Sequence, residues 1–279
     1  MSVDNFIPTV WSDLIFRSYD KSFVFAPLSN REYEGEISGF GDKVKINEIG
    51  DVTVNTYAGT VNYEDPEDAS KFLVIDQQHY AGVQLDDIDN AQVKPKIVGE
   101  VTRKVGVALA DNIDQFFAAK YTEAGLTTDI GTTGSPISIT STNMVEYLGK
   151  VNQLMDESNN PTSGRVAVVP PWFIQKMTLA KIDKDTDNSA ILTSGYAGNM
   201  MGFDVYMSNN VSHSSTTWYA PMFFLRGDTI AFAEQIMKTE ALRDIGSFKD
   251  YLRALMVYGG KVVRPSALAT LICASGSET

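Results

Sequence analysis

The sequence predicts an α+β fold from three patterns: period-two alternation after Gly41, a helical ladder through Asn90–Ala124, and strand-like runs near the C-terminal end. With 279 residues, the chain can bury roughly three quarters of its unfolded surface and needs neither disulfide nor metal to hold a core. Hydrophobic residues at 43% and charged residues at 21% are ordinary globular values, so no long stretch reads as disordered.

Residues 1–40 mix aromatics with turn residues and keep no period: Trp11, Phe16, Tyr19, Phe23 and Phe25, closing on Pro27. This predicts an arm packed against another surface, with one short helix near Val10–Tyr19. From Gly41 the period becomes two. Val44 and Ile46, Val52 and Val54, then Val61 and Tyr63 alternate with polar residues. Glu64-Asp65-Pro66-Glu67-Asp68 interrupts the alternation, and Lys71–Ile75 resumes it. Two extended runs around an acidic tip predict a long hairpin. Its apolar density is too low for it to stand alone in water, so it must lie on another surface.

Asn90–Ala124 reads as a helix because Ile97, Val101, Val105, Leu109, Ile113 and Phe117 form an i,i+4 ladder, supported by Val98, Ala108 and Phe116. Pro95 suits the first turn and Gly125 the end. At about 1.5 Å per residue the helix would run roughly 40–45 Å. Thr127–Thr142 reads as a Gly/Thr/Ser linker, and Thr142–Ser158 as a second helix with Val145, Leu148, Val151 and Met155 on one face. Arg165–Pro170 is a buried strand, and Pro171-Trp172-Phe173 opens a third helix through Lys181. Strands follow at Met201–Ser208, Trp218–Leu225 and Ile230–Ile236. Phe248–Val257 is expected to turn through Tyr258-Gly259-Gly260 into Lys261–Arg264, since adjacent glycines between alternating runs signal a hairpin. Ala267–Cys273 continues beyond Pro265 as a last strand.

Net charge is −12, which disfavours a sequence-specific DNA reader with a basic face. The charge is uneven: residues 1–92 hold 17 acids against 6 bases, whereas Ile236–Pro265 holds 6 bases against 3 acids. Acidic and basic ends that meet between copies of the chain would exploit that asymmetry. The first residues lack a signal-peptide pattern, and the longest apolar stretches, Ala167–Ile174 and Tyr219–Leu225, are too short to span a bilayer. A soluble protein made in a reducing cytoplasm is expected.

Catalytic and metal motifs are imitated in the sequence but not completed. Cys273 is the single cysteine, which excludes an intrachain disulfide, and it reads as a small buried residue on the last strand. Asp183-Lys184-Asp185-Thr186-Asp187-Asn188 imitates a calcium loop, but Asn188 stands at the glycine position and Ser194 at the closing glutamate. Asp86-Asp87-Ile88-Asp89 fits the approach to a helix N-terminus better than a paired-carboxylate metal site. Gly39-Phe40-Gly41 lacks the third glycine of a dinucleotide loop, and Gly259-Gly260-Lys261 lacks the upstream glycine of a phosphate loop. A hydrolase built on Asp86, Asp87 and His79 is the one enzyme reading, and His213 has no partner at ligand spacing. The expectation is no catalytic residue, no cofactor and no metal.

Three stretches carry a family resemblance. Arg165-Val166-Ala167-Val168-Val169-Pro170-Pro171 is the first. The second is Gly198-Asn199-Met200-Met201-Gly202-Phe203-Asp204-Val205-Tyr206-Met207-Ser208-Asn209-Asn210. The third joins Leu242-Arg243-Asp244, Phe248-Lys249-Asp250-Tyr251-Leu252-Arg253 and Tyr258-Gly259-Gly260-Lys261-Val262-Val263-Arg264-Pro265. In this order they resemble the major capsid proteins of tailed bacteriophages, the Hong Kong 97-type coat fold. The resemblance implies an N-terminal arm (1–40), an extended loop hairpin (41–92), a peripheral domain with a spine helix (93–135 and 237–279) and an inserted axial domain (136–236). It implies a shell subunit, not an enzyme, that assembles into hexamers and pentamers around double-stranded phage DNA. Its partners would be copies of itself, a portal, possibly scaffolding or decoration proteins, and packaged DNA bound without sequence specificity, but no membrane. The alternative with a similar fold is an encapsulin-type bacterial compartment shell.

The expected assembly contacts are Glu64, Asp65, Glu67 and Asp68 of the tip, Lys71, and the basic residues Arg253, Lys261 and Arg264, with Lys249 and the helix residues Lys94, Lys96, Arg103 and Lys104 as other candidates. Some members of the family join a hairpin lysine covalently to an asparagine of the peripheral domain. Lys71 matches the lysine, but no asparagine follows Asn210, so a non-covalent shell is expected.

Overall fold

The computed structural model describes residues 23–32, 43–46, 56, 71–86, 97–180, 196–215, 217–243 and 249–277. The acidic tip, the aspartate-rich run 183–188 and the expected short arm helix lie outside the described residues.

Two short strands, β1 (Lys43–Ile46) and β2 (Lys71–Val74), pair antiparallel in the register Lys43↔Val74 to Ile46↔Lys71. These are the two arms expected of the long hairpin. β3 (Gln77–Asp86) then forms the edge of a three-stranded sheet. The long helix α1 (Ile97–Ala119) follows, about 34 Å over its described residues, and its last turn tightens into a 3-10 segment at Lys120–Glu123. Val105, Leu109, Ile113 and Phe117 of the ladder are buried, but Ala108, expected on the same face, is exposed. Gly125 is not a left-handed cap. Its N–H donates to the Pro265 carbonyl at 2.9 Å, and an added Cβ would meet that oxygen at 2.6 Å.

The expected linker at 127–142 instead carries β4 (Ile137–Ile139), which pairs in parallel with β14 (Cys273–Ser275). Ile130 and Ile139 are fully buried there, so apolar side chains tie down a segment whose composition reads as flexible. Helix α2 (Met144–Glu157) buries Met144, Leu148, Val151 and Met155, while Val145 points outward, 40% exposed. β5 (Arg165–Val169) and α3 (Pro171–Leu179) fall where the alternation and Pro171 put them. β6 (Tyr196–Met200) was not expected. It pairs with β7 (Phe203–Met207) around Met201 and Gly202, both at positive φ, so these two residues are a hairpin turn and not the start of the strand.

Two short strands, β8 (His213–Ser214) and β9 (Trp218–Tyr219), precede β10 (Met222–Leu225). β11 (Ile230–Arg243) and β12 (Lys249–Val262) are the longest strands, joined as an antiparallel pair with one register shift between Ile236 and Lys238. The expected hairpin at Gly259-Gly260 is therefore incorrect. Both glycines lie inside β12, and the chain reverses between 243 and 249. They are glycines because of close packing: a Cβ on Gly259 would collide with the Val74 carbonyl oxygen, and one on Gly260 would lie 3.0 Å from Phe116 and 3.1 Å from Phe117. After a 3-10 turn at Pro265–Ala267, β13 (Ala269–Thr270) joins the edge of a five-stranded sheet ordered β13-β10-β5-β7-β6.

β5 separates two cores. Val166 and Val168 face a cluster in which α1 packs on Leu252, Ala254, Met256 and Tyr258 of β12. Ala167 and Val169 face the second cluster, with the buried residues of α2 and α3 and with Phe203, Phe223 and Cys273. A third cluster docks β1 and β2 onto β11 and β12: Val44, Ile46, Leu73 and Ile75 close over Ala231, Ala233 and Val257. The described root of the hairpin, 43–46 and 71–75, thus lies on another surface, as low apolar density requires.

Candidate functional site

The sheet β11–β12–β3 has two faces of different fate. Residues opposite one another share a face, and alternation along each strand divides the two sets. Leu252, Ala254 and Met256, with Ala81 and Val83 opposite, turn inward onto α1. The outer rows are Tyr80 beside Leu255, Gly82 beside Arg253 and Glu240, and Gln84 beside Tyr251 and Leu242. Tyr80 is 79% and Leu242 46% exposed, and the face forms a concavity of about 860 Å³. Gly82 leaves it open, since a Cβ there would meet nothing within 4 Å. Exposed apolar surface of this kind, rimmed by polar residues, marks a contact site.

The outer side of β1–β2 continues the theme. Phe72 (47% exposed) lies opposite Lys45, and Val74 (37% exposed) opposite Lys43, so apolar and basic groups alternate on it.

The basic residues expected at assembly contacts are engaged within the chain. Arg253 donates to the Glu240 carboxylate across β11–β12, with Nε at 2.7 Å from Oε2. Arg264 pairs with Asp228. The Lys71 ammonium donates to the Val263 carbonyl at 2.6 Å, and that of Lys261 to the Phe72 carbonyl at 3.3 Å. These two lysines stitch the hairpin root to the end of β12 from opposite directions. Glu64, Asp65, Glu67 and Asp68 lie outside the described residues. Arg103 binds Glu100, three residues back on α1, at 2.9 Å.

Among the described residues the geometry does not assemble the hydrolase constellation. His79 and Asp86 are seven residues apart on one extended strand, roughly 23 Å, and the His79 ring stacks on Tyr258 at 5.7 Å. Asp87 is outside the described residues. His213 stacks on Tyr219 at 5.3 Å beside a second, shallower recess lined by Tyr121, Trp218 and Asn209. Among the described residues no three of His, Cys, Asp and Glu are grouped to hold a metal ion. No helix among them is long and apolar enough to cross a membrane. Cys273 is fully buried, and burial pushes its thiol pKa up, away from reactivity.

Sequence reasoning missed the contribution of Arg165. Its guanidinium is 2% exposed, with Nε donating to the Pro161 carbonyl at 2.8 Å and Nη2 to the Asn160 carbonyl at 2.9 Å and the Asp156 carboxylate at 2.6 Å. It fastens the 158–164 turn to α2. An arginine opening an otherwise apolar strand was the available signal.

Comparison with known proteins agrees with this architecture. The phage capsid protein family matches residues 74–271. A solved structure from Mycobacterium phage Che8 is 30% identical, with a TM-score of 0.72 over 89% of this chain and 90% of that one. The capsid of cyanophage P-SCSP1u shares the fold at 17% identity and a TM-score of 0.66, over 92% and 89%. A virus-like particle from Pyrococcus furiosus shares it at 10% identity and a TM-score of 0.57, over 93% and 96%. No protein of curated function matches the sequence. A family match across most of its length and a 30%-identical phage structure with the same α+β architecture meet on one conclusion: the chain belongs to the phage capsid protein family, and it is a shell protein of the virion, not an enzyme.

Proposed function

We propose that this capsid protein assembles as hexamers and pentamers into an icosahedral shell that encloses double-stranded phage DNA. The carrying observation is the outer face of β11–β12–β3, where Tyr80 and Leu242 are exposed beside partly buried Tyr251 and Leu255. One subunit has no use for such a face, but a neighbouring copy does. In this reading 1–40 is the arm, 41–92 the extended loop, 93–135 with 237–279 the peripheral domain and 136–236 the axial domain. A net charge of −12 suits a container that holds DNA without gripping it, since tight wrapping requires phosphate neutralisation. A portal, and scaffolding or decoration proteins, would be its other partners.

The acidic tip reaches a neighbour's basic residues, of which Arg253, Lys261 and Arg264 are candidates. Each already has a partner in its own chain, so the tip competes with Glu240, Asp228 and the Phe72 carbonyl. An exposed pair contributes about 0.2–1 kcal/mol, small enough to be exchanged. Purified subunits, with scaffold if one is needed, are expected to form closed particles visible by electron microscopy. A strictly monomeric protein under all assembly conditions refutes the reading. Replacing Glu64, Asp65, Glu67 and Asp68 by Asn or Gln leaves the monomer folded and lowers particle yield, with a smaller difference at high salt. Equal yields across a salt series would show that the tip charges are merely solvated.

The likeness to the Pyrococcus furiosus particle supports a second reading, an encapsulin-type compartment that holds protein cargo. Portal and terminase genes beside this one would exclude it.

A further inference from the structure

The three-stranded sheet has one edge that is crossed and one that is open. On the β11 side, the Asn30 N–H donates to the Ile230 carbonyl at 2.8 Å, and the Asn30 carbonyl accepts the Phe232 N–H at 2.8 Å. β3 forms the other edge, and among the described residues nothing pairs with its free side. An edge strand presents a row of unpaired N–H and C=O groups, a template for another strand, and proteins blunt such edges with proline, lysine, inward-pointing charge or a bulge. From Gln77 to Leu85, β3 has none of these. It runs ten residues, contains no proline, lysine or arginine, and has its one acid, Asp86, at the last position. Its register with β12 is unbroken from Tyr258↔Gln77 to Lys249↔Asp86, whereas the β11–β12 ladder shifts between Ile236 and Lys238. Its residues alternate between half-buried and exposed from Gln77 to Gln84, as a regular strand requires.

We propose that β3 pairs antiparallel with β3 of a second copy across a two-fold axis, so that two three-stranded sheets join into one of six strands. The second copy comes from the shell reading, on which this inference rests.

Charge, symmetry and shape select this occupant. At a net charge of −12, two copies repel on average. The run Gln77–Leu85 contains no Asp, Glu, Lys or Arg, so two copies meet along it without like charges facing. Antiparallel pairing of identical strands is isologous: one segment supplies both sides, and no second complementary surface is needed. Side chains opposite one another share a face, so a slip of one residue would set the outer row against the inner row. Only registers two residues apart remain. With Ala81 at the axis, opposite itself, each Tyr80 stands opposite the second copy's Gly82 and each Gln78 opposite its Gln84. Tyr80 is 79% exposed, and Gly82 has open space where its Cβ would be. The ring then fills the gap that the glycine leaves beside the concavity, as an aromatic opposite an edge glycine does. Gly82 at the axis would instead set two gaps side by side and Tyr80 opposite Gln84. Pairing over 77–85 closes roughly eight to ten backbone hydrogen bonds.

The test is disulfide trapping in assembled particles, read on non-reducing gels. Directly opposite residues lie about 4.5–5.5 Å apart between Cα atoms, within reach of a disulfide. Cys273 is buried, so the wild type supplies the monomer baseline. Ala81→Cys, and Gln78→Cys combined with Gln84→Cys, are expected to shift the chain to a dimer band that is lost on reduction. Gln78→Cys alone and Gln84→Cys alone are expected to stay at the wild-type level. Gln78 and Gln84 are exposed, so their double variant carries the same register should Ala81→Cys, which packs toward α1, fail to assemble. In wild-type particles, every second amide of 77–85 should exchange roughly tenfold or more slowly than in the free subunit, with 166–169 as reference.

Particles whose β3 amides exchange as fast as those of the free subunit overturn the pairing and leave the shell reading intact. Protected amides without a dimer in any variant assign the edge to a different strand and overturn the self-pairing. Dimer in either single glutamine variant overturns the register. A chain that never leaves the monomer refutes the shell reading, and the pairing falls with it.

Discussion

Replacing Gly259 by alanine should loosen one contact and spare the rest. The added Cβ would collide with the Val74 carbonyl oxygen and lie 3.0 Å from the Ile75 Cα, both backbone atoms that cannot rotate away. Overpacking of this kind costs about 1–3 kcal/mol. The docking it strains is larger. Val44, Ile46, Leu73 and Ile75 are each at most 3% exposed, and at about 1.5–3 kcal/mol per side chain their burial contributes on the order of 6–12 kcal/mol, an upper bound. Docking wins, so Gly259→Ala keeps β1–β2 on the body but makes its opening roughly 5- to 150-fold easier. Hydrogen exchange at 43–46 and 71–75 reads this directly, with 166–169 of β5 as the internal reference. Gly82→Ala is the control: it lies in the same sheet, its Cβ meets nothing, and it should be neutral or stabilising by up to about 1 kcal/mol. Unchanged protection of the hairpin in Gly259→Ala, or equal loss at β5, refutes the reasoning.

Three further outcomes are expected. Arg165→Ala strands the Asn160 and Pro161 carbonyls and should destabilise the subunit by about 3–5 kcal/mol, read as a lower urea midpoint; a shift under 1 kcal/mol would contradict the account of this buried guanidinium. Cys273, buried with its thiol pushed up, should resist alkylation in the native subunit and react only after unfolding, so rapid native labelling would be incompatible with the core described. Assembled particles boiled in detergent should run as one band near 30.6 kDa, whereas a ladder that persists under reduction would reveal a covalent bond between subunits.

What the sequence made legible was periodic and long. The α1 ladder, the face of α2 beyond its first turn and the buried run of β5 each repeat a pattern often enough that packing could only agree with it. Short strands were hidden for specific reasons. β4 is three residues set in Gly, Thr and Ser, and it exists because β14 pairs with it. β6 contains Gly198, itself at positive φ, and ends on a turn whose first residue is methionine. Gly259 and Gly260 misled most. A glycine pair signals a turn when local geometry rules, but here tertiary contact with Val74, Phe116 and Phe117 rules. That error concealed another: only with the chain reversing between 243 and 249 does the register set Glu240 opposite Arg253. Without that register Arg253 looked available to a neighbour's acids.

In the proposed assembly, the paired state of Arg253 would change how a neighbour is attracted to this face. With Glu240 across from it, the concavity presents a compensated charge set among Tyr80, Leu242, Tyr251 and Leu255. The incoming surface therefore gains mainly by removing apolar area from water, which yields about 25 cal/mol per Å² and is insensitive to salt. An acidic tip adds to this only where it displaces Glu240, and displacement exchanges one exposed pair for another with little net gain. Charge then acts on the choice and alignment of the neighbour, and area on the strength of the contact. In the proposed assembly such a shell would hold through many modest apolar contacts, each weak enough to be corrected during assembly, while the repeated acidic and basic ends would discriminate which edge meets which.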